Sequence, residues 1–293
     1  MSIVKIAVLT VLAMVAFAGN SILCRIALKH TSIDAASFTS IRLVSGAVVL
    51  WAITAFFRQD RTGRGNWLSA FALFAYAAGF SFAYISLPAA TGALLLFGAV
   101  QATMIGHGLW VGERLNKQQF VGLALALGGL IGLLLPGLSA PPLVGSALMM
   151  IAGVAWGVYS VRGKGAGDPT RVTAGNFLRA SFFTALLSAL SIAGYNLDIA
   201  GVWYAIASGA ITSGLGYAIW YSVIPNLKAA SAATIQLSVP VIAALGGIII
   251  LGESITTRFL LASFAILGGI ALVILRKSYR NDAQPIIPPD AAR

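Results

Sequence analysis

Two stretches of this chain carry the same marks in the same order. Leu87-Pro88-Ala89-Ala90 leads to Val111-Gly112-Glu113-Arg114 and then to Leu127-Gly128-Gly129, while Ile224-Pro225 and Ala229-Ala230 lead to Leu251-Gly252-Glu253-Ser254 and then to Leu267-Gly268-Gly269. The two Gly-Glu pairs stand at the same offset as the two Gly-Gly pairs, so the second half of the chain repeats the first. Around these marks lie ten apolar segments, at 5–24, 36–57, 67–87, 90–111, 117–135, 143–162, 171–194, 200–221, 229–250 and 257–275. Each is close to the roughly 20 residues that a helical span needs. Five fall in a first repeat, 1–138, and five in a second, 139–275, with 276–293 left as a proline-containing tail expected to be disordered. Five is odd, so the second repeat enters the membrane from the opposite side. The expected fold is an all-α membrane protein of two inverted five-helix repeats, the pattern of carriers that work by alternating access.

Composition excludes a water-soluble domain. Hydrophobic residues make up 59% of the chain and charged residues only 9%, with mean hydropathy +0.91, against roughly 25% charged in soluble proteins. The net charge of +11 would suggest nucleic acid in a soluble protein, but here the cations sit in short loops and describe topology instead. With both termini in the cytoplasm, Arg58, Arg61, Arg64, Arg114, Lys117, Arg162, Lys164, Arg171, Lys228 and the two chain ends fall inside, against Arg25, Lys29 and Arg258 outside. That bias predicts N-in, C-in. The first segment resembles a signal peptide up to Ala16-Phe17-Ala18, but its apolar run continues to Cys24 and the repeat needs it, so it is read as a retained span. A single cysteine, Cys24, allows no internal disulfide.

Taken with Arg42 and Arg179, an arginine early in the second helix of each repeat, and with the paired Pro88/Pro225, these marks resemble the drug/metabolite transporter superfamily, in its ten-helix branch of two fused EamA-type repeats. Within it the chain is similar to bacterial aromatic amino-acid exporters of the YddG type. The resemblance covers about residues 5–275 and implies ten helices, a central cavity between the repeats and export from the cytoplasm.

Candidate binding residues follow from depth and spacing. Tyr76 and Phe80 share a face of the third span, Trp156 and Tyr159 lie three apart on the sixth, and Tyr217 sits on the eighth. Aromatic faces with a few polar groups suit a bulky apolar ligand; Asn20, Gln101 and Gln236 supply amides, and His107 is the titratable group within the spans. Tyr84, Trp110, Trp220 and Tyr221, nearer span ends, read as an interfacial belt. Arg42 and Arg179 read as gate or substrate-carboxylate contacts at opposite mouths, or as cations bonded to helix-end carbonyls. Pro88 and Pro225 are candidate hinges, and Pro240 frees the carbonyl of Gln236 and bends its helix. Glu113 and Glu253 read as structural, capping a helix start or pairing with an arginine. Gly128, Gly132, Gly268 and Gly269 read as helix-packing positions, compatible with a monomer or a homodimer.

Other function classes find little footing. His30-Thr31-Ser32-Ile33-Asp34 is one residue short of the acyltransferase His/Asp spacing, and no metal-ligand cluster, nucleophile elbow or phosphate loop stands in the sequence. No cofactor or metal is expected, no nucleic-acid partner, and no enzymatic activity. The expected partners are the lipid bilayer and a small molecule: an aromatic or bulky apolar amino acid, or alternatively a drug or purine.

Overall fold

A computed structural model describes residues 1–57, 62–112, 114–137, 139–163, 166–227 and 229–282. The described chain is helical throughout: α1 (Ile3–His30), α2 (Ala35–Phe57), α3 (Trp67–Tyr84), α4 (Ala89–Trp110), α5 (Lys117–Leu134), α6 (Leu143–Arg162), α7 (Pro169–Leu190), α8 (Ile199–Ile206), a π-helical stretch (Ala207–Leu215), α9 (Gly216–Val223), α10 (Ala229–Gln236), α11 (Ser238–Leu251) and α12 (Thr257–Asp282). α8, the π stretch and α9 together make the eighth crossing; α10 and α11 make the ninth. Among the described residues nine crossings are long and apolar enough to span a membrane. α7, which carries Arg171 and Arg179, is the less apolar tenth.

The repeat is visible in the packing. α3 lies against α6, and the eighth crossing lies against α1; α4 lies against α6, and α11 against α1; α2 lies against the π stretch, and α7 against α3. Two further pairs, α2 with α7 and α5 with α12, map onto themselves when the halves are exchanged. The scheme is that of a pseudo-two-fold axis relating two inverted five-helix repeats. Loops preceding α3, α5, α7 and α10 share one face with the N-terminus, called here the terminal face; those preceding α2, α4, α6, α8 and α12 form the distal face.

Local chemistry sets the helix ends. Asn66 caps α3 by accepting from the Ser69 N–H at 2.8 Å, and Asn116 with Gln119 forms a reciprocal capping box on α5. Asp168 caps α7 with Pro169 in the first turn, so α7 begins two residues earlier than the sequence reading placed it and ends at Leu190 rather than 194. Gly252, at φ +63°, ends α11 in the left-handed region, where glycine is free of the Cβ penalty. α1 continues to His30, so Arg25 and Lys29 are helical residues and not the outer-loop cations expected. The final helix reaches Asp282, beyond the span end expected at 275; residues 283–293 lie outside the described chain.

The glycine expectation needs correcting. A Cβ at Gly128, Gly132 or Gly268 would meet nothing within 4 Å. The close contact of α5 with α12 rests on Gly122, whose Cβ would stand 2.6 Å from the Gly269 carbonyl oxygen, and on Gly129, 2.7 Å from the Ala265 methyl. Gly129, one residue round the helix from Gly128, faces the partner. Substituting Ala at Gly129 forces two backbones apart and is expected to destabilise the protein by about 1–3 kcal/mol. Gly128→Ala, facing open space, is expected to be neutral or slightly stabilising. Thermal unfolding in detergent compares the two.

On the distal face Asp34 ties two loops together. Its carboxylate accepts from the Ser37 N–H at 2.8 Å, the Ser37 hydroxyl at 2.6 Å and the Asn196 N–H at 3.0 Å. Burial alone would raise its pKa, but these hydrogen bonds outweigh burial and hold it below the ordinary carboxylate value. The stabilisation is therefore full above the unfolded value, about 3.9, and is lost as pH falls through the lower folded value. Asp34→Asn is expected to cost about 1 kcal/mol at pH 7, typical of a lost cap. The gap between variant and parent melting temperatures should close as the pH is taken below about 4.

Candidate functional site

Between the repeats lies a cavity of about 390 Å³, lined by residues of α1, α3, α4, α6, α7, the eighth crossing and α10. It reaches the terminal face, where Gly163, Gly167, Pro169 and Pro225 form its rim. Asn20, Tyr76, Phe80, Trp156, Tyr159, Tyr217 and Gln236 all lie on its wall. Gln101 and His107 do not. α4 contributes Leu96, Phe97, Val100 and Met104 to the wall. Gln101 is buried elsewhere on that helix, and His107, a turn beyond Met104, is exposed.

The wall is an aromatic stack. Trp156 lies between Tyr159 and Tyr217, with centroids 5.2 and 5.3 Å away and planes inclined by only 27° and 22°, and Tyr76 stands 4.8 Å from the same indole. α6 can bring Trp156 this close because Gly153 and Gly157 seat it on α4; a Cβ at Gly153 would stand 2.6 Å from the Leu96 carbonyl oxygen. Trp220 and Tyr221 also line the cavity, against the interfacial reading. Tyr221 is held there through Thr173, whose hydroxyl donates to it at 3.1 Å and accepts from Tyr159 at 3.1 Å. Tyr84, likewise expected at the interface, is fully buried, its hydroxyl donating to the Ala89 carbonyl at 3.2 Å. Trp110, at 89% exposure, lies on the outer surface at the end of α4.

A polar thread runs through the upper wall. The Asn20 amide donates to the Tyr76 hydroxyl at 3.3 Å, and its oxygen accepts from Ser208 at 2.6 Å and Thr212 at 3.4 Å. Both hydroxyls come from the π stretch, a local irregularity of the kind that marks functional sites and that sequence periodicity does not reveal. Gln236 reaches the cavity where the ninth crossing breaks: α10 ends at Gln236 and α11 resumes at Ser238, two residues before Pro240. The proline removes the donor that would have met the Gln236 carbonyl.

The two repeat-mate arginines differ. Arg179 donates to the carbonyls of Arg64 at 2.7 Å and Gly175 at 2.9 Å and lies over Trp67, which is the carbonyl-bonding arrangement. Arg42 is 1% exposed, donates through one terminal nitrogen to Tyr76 at 3.0 Å, and packs over the rings of Tyr76 and Phe80 at 5.2 and 4.9 Å. Its other nitrogens, Nε and Nη1, have no hydrogen-bond partner among the described residues.

The distal end is shut by residues that the sequence reading assigned to a loop. Arg25 pairs with Glu253 through Nε at 3.0 Å and donates to the Tyr84 and Ile85 carbonyls at 2.8 and 3.0 Å. Glu253 also accepts from the Ala89 N–H at 2.8 Å. Pro88 offers no side-chain cap to α4, so the carboxylate serves that helix start from across the repeat boundary. Glu253 thus both pairs with an arginine and caps a helix, though α4 rather than the following α12. Its mate Glu113 lies outside the described residues. Among those described, no group of three His, Cys, Asp or Glu side chains is placed to hold a metal.

Removing Glu253 leaves a buried guanidinium and an uncapped α4. Glu253→Gln is expected to destabilise the closed distal end by about 3 kcal/mol. Cys24, next to Arg25 and fully buried, is a native reporter. In the parent it should resist maleimide; in Glu253→Gln its labelling should rise severalfold. Unchanged labelling would mean that the pair does not hold this end shut.

Both halves of the chain, residues 4–135 and 143–275, match the EamA-like transporter family. An uncharacterized protein of Pseudomonas aeruginosa is 58% identical over 267 residues, covering 91% of this chain and 93% of its own. An uncharacterized transporter of Bacillus subtilis, YoaV, is 23% identical over 248 residues, covering 80% and 85%. A crystal structure at 18% identity superposes with TM-score 0.63 over 94% of this chain and 99% of that one, which speaks for the fold alone. With the repeat, the cavity and the matched halves in agreement, the chain belongs to the EamA-like transporter family.

Proposed function

We propose that this chain exports aromatic and other bulky apolar amino acids across a bacterial-type inner membrane, by alternating access of the cavity between its repeats. The observation that carries this reading is the wall itself. Trp156 stacks with Tyr159 and Tyr217 in a cavity of about 390 Å³, with the amides of Asn20 and Gln236 at separate points on the same wall. Flat ring faces attract a flat ring, and the amides offer donors and acceptors to its polar end. The lysine and arginine bias of the terminal-face loops supports cytoplasmic termini. In that orientation the described conformation is open to the cytoplasm and shut on the far side by Arg25 and Glu253. No catalytic step is assigned to any residue.

The test is flux in liposomes containing only the purified protein. Labelled phenylalanine or tryptophan should leave loaded vesicles faster than from protein-free ones and be slowed by unlabelled aromatic amino acids. Trp156→Ala should lower that flux about tenfold, the loss of one good stacking contact. Trp110→Ala, on the exposed surface, should leave it unchanged. No flux above background with folded protein would turn the reading to other small molecules.

A further inference from the structure

A buried guanidinium in an apolar bundle calls for a counter-charge. Among the described residues Arg42 has none: two of its three nitrogens are unpartnered, and the third meets only the neutral Tyr76 hydroxyl. The one ion pair among the described residues, Arg25 with Glu253, lies at the distal end. An unpaired cation at this depth is costly and marks a place where charge is supplied by something else.

Tyr76 connects this charge to the cavity. Its ring lies on the wall, with Arg42 packed over it. Its oxygen accepts from Arg42 at 3.0 Å and from Asn20 at 3.3 Å. With both lone pairs engaged by donors, the phenol proton is left to be given to an acceptor. A phenol polarised by a cation on one side donates most strongly to an anion on the other. The described residues lining the cavity include no Asp, Glu, Lys, Arg or His, so a ligand ammonium finds π faces and amide oxygens among them but no carboxylate.

We propose that Arg42, acting through Tyr76, makes the cavity a receptor for the carboxylate of an aromatic acid, with the amino group dispensable. Aromatic monocarboxylates that lack an amine are then ligands of the same site. Arg42 is a positioning residue and Tyr76 the contact. The inference rests on the reading of the cavity as an aromatic amino-acid site and narrows it to the charge that the site recognises.

Calorimetry on the intact protein in lipid nanodiscs tests this with three ligands that share one ring: phenylalanine, 3-phenylpropionate and 2-phenylethylamine. Phenylalanine and 3-phenylpropionate should bind alike, and 2-phenylethylamine about tenfold more weakly, the scale of one charge-assisted hydrogen bond. Tyr76→Phe should weaken both carboxylates about tenfold and leave the amine unmoved, a split that a merely structural role would not give. Arg42→Gln should do the same and Arg42→Lys should restore binding in part; if the Arg42 variants fail to fold, Tyr76→Phe still decides. If 2-phenylethylamine binds like phenylalanine while 3-phenylpropionate does not, the inference is overturned and the amino-acid reading stands. If none of the three binds to folded protein, both fall. Titrations in sodium chloride and in sodium sulfate separate the anion sources: binding of chloride in place of the carboxylates would assign Arg42 to an inorganic ion and also overturn the inference.

Discussion

The ion pair of Arg25 with Glu253 gives the molecule a direction. It joins α1, the end of α3, the start of α4 and the end of α11 at one point, two elements of which must separate if the distal face is to open. Taking two charges out of water is unfavourable, and a buried pair is rarely more stabilising than apolar residues of the same volume. Its advantage is specificity. Both carboxylate oxygens and two guanidinium nitrogens are satisfied only when these four ends meet, so the closed arrangement is well defined. It is also finite in strength, because water entering an opened distal face would solvate both partners again. A wholly apolar seal would offer neither property.

Inverted repeats place similar sequences in two environments, and the arginines show how far that difference goes. Arg42 and Arg179 stand at the same offset as Pro88 and Pro225. Arg179 closes on the carbonyls of Arg64 and Gly175 near the terminal face; Arg42 lies in the middle of the bundle with two nitrogens unpaired. The eighth crossing differs from its mate α3 in the same way, for it carries the π stretch that turns Ser208 and Thr212 toward Asn20, while α3 is a regular helix. Symmetry therefore fixes the scaffold and the departures from it build the site.

What was legible in the sequence was whatever repeats or is periodic. The ten crossings, the two halves and seven of the nine candidate wall residues came from hydropathy, offset and helical spacing, because a lipid solvent leaves little choice of backbone. The rest depended on contacts between segments far apart in the chain. Arg25 looked like a loop cation since the apolar run ends at Cys24, yet α1 continues to His30 and carries it to Glu253, 228 residues away. Trp220 and Tyr221 sit near a span end, as interfacial aromatics do, and only the packing of α9 shows them facing inward. Gly128 and Gly129 are indistinguishable by composition; a rotation of one residue decides which of them meets α12. The π stretch has no signature in the pattern at all.

The cavity's chemistry follows from what its wall omits as well as from what it displays. Stacked rings select for shape and polarisability but are tolerant of the ligand's charge. In the proposed reading, selectivity for charge comes from behind the wall, where Arg42 is packed with its guanidinium carbon 5.2 Å from the ring centre of Tyr76. At an effective dielectric constant of 20, a unit charge about 5 Å away is worth about 3 kcal/mol. A ligand charge beyond the phenol lies farther away and is worth less, on the scale of about tenfold in affinity between an acid and an amine. A carrier built this way keeps its charge out of reach of bulk water and offers it through one phenol. A passing ring without a carboxylate then gains the stack, but leaves the Tyr76 proton and the Arg42 charge unanswered.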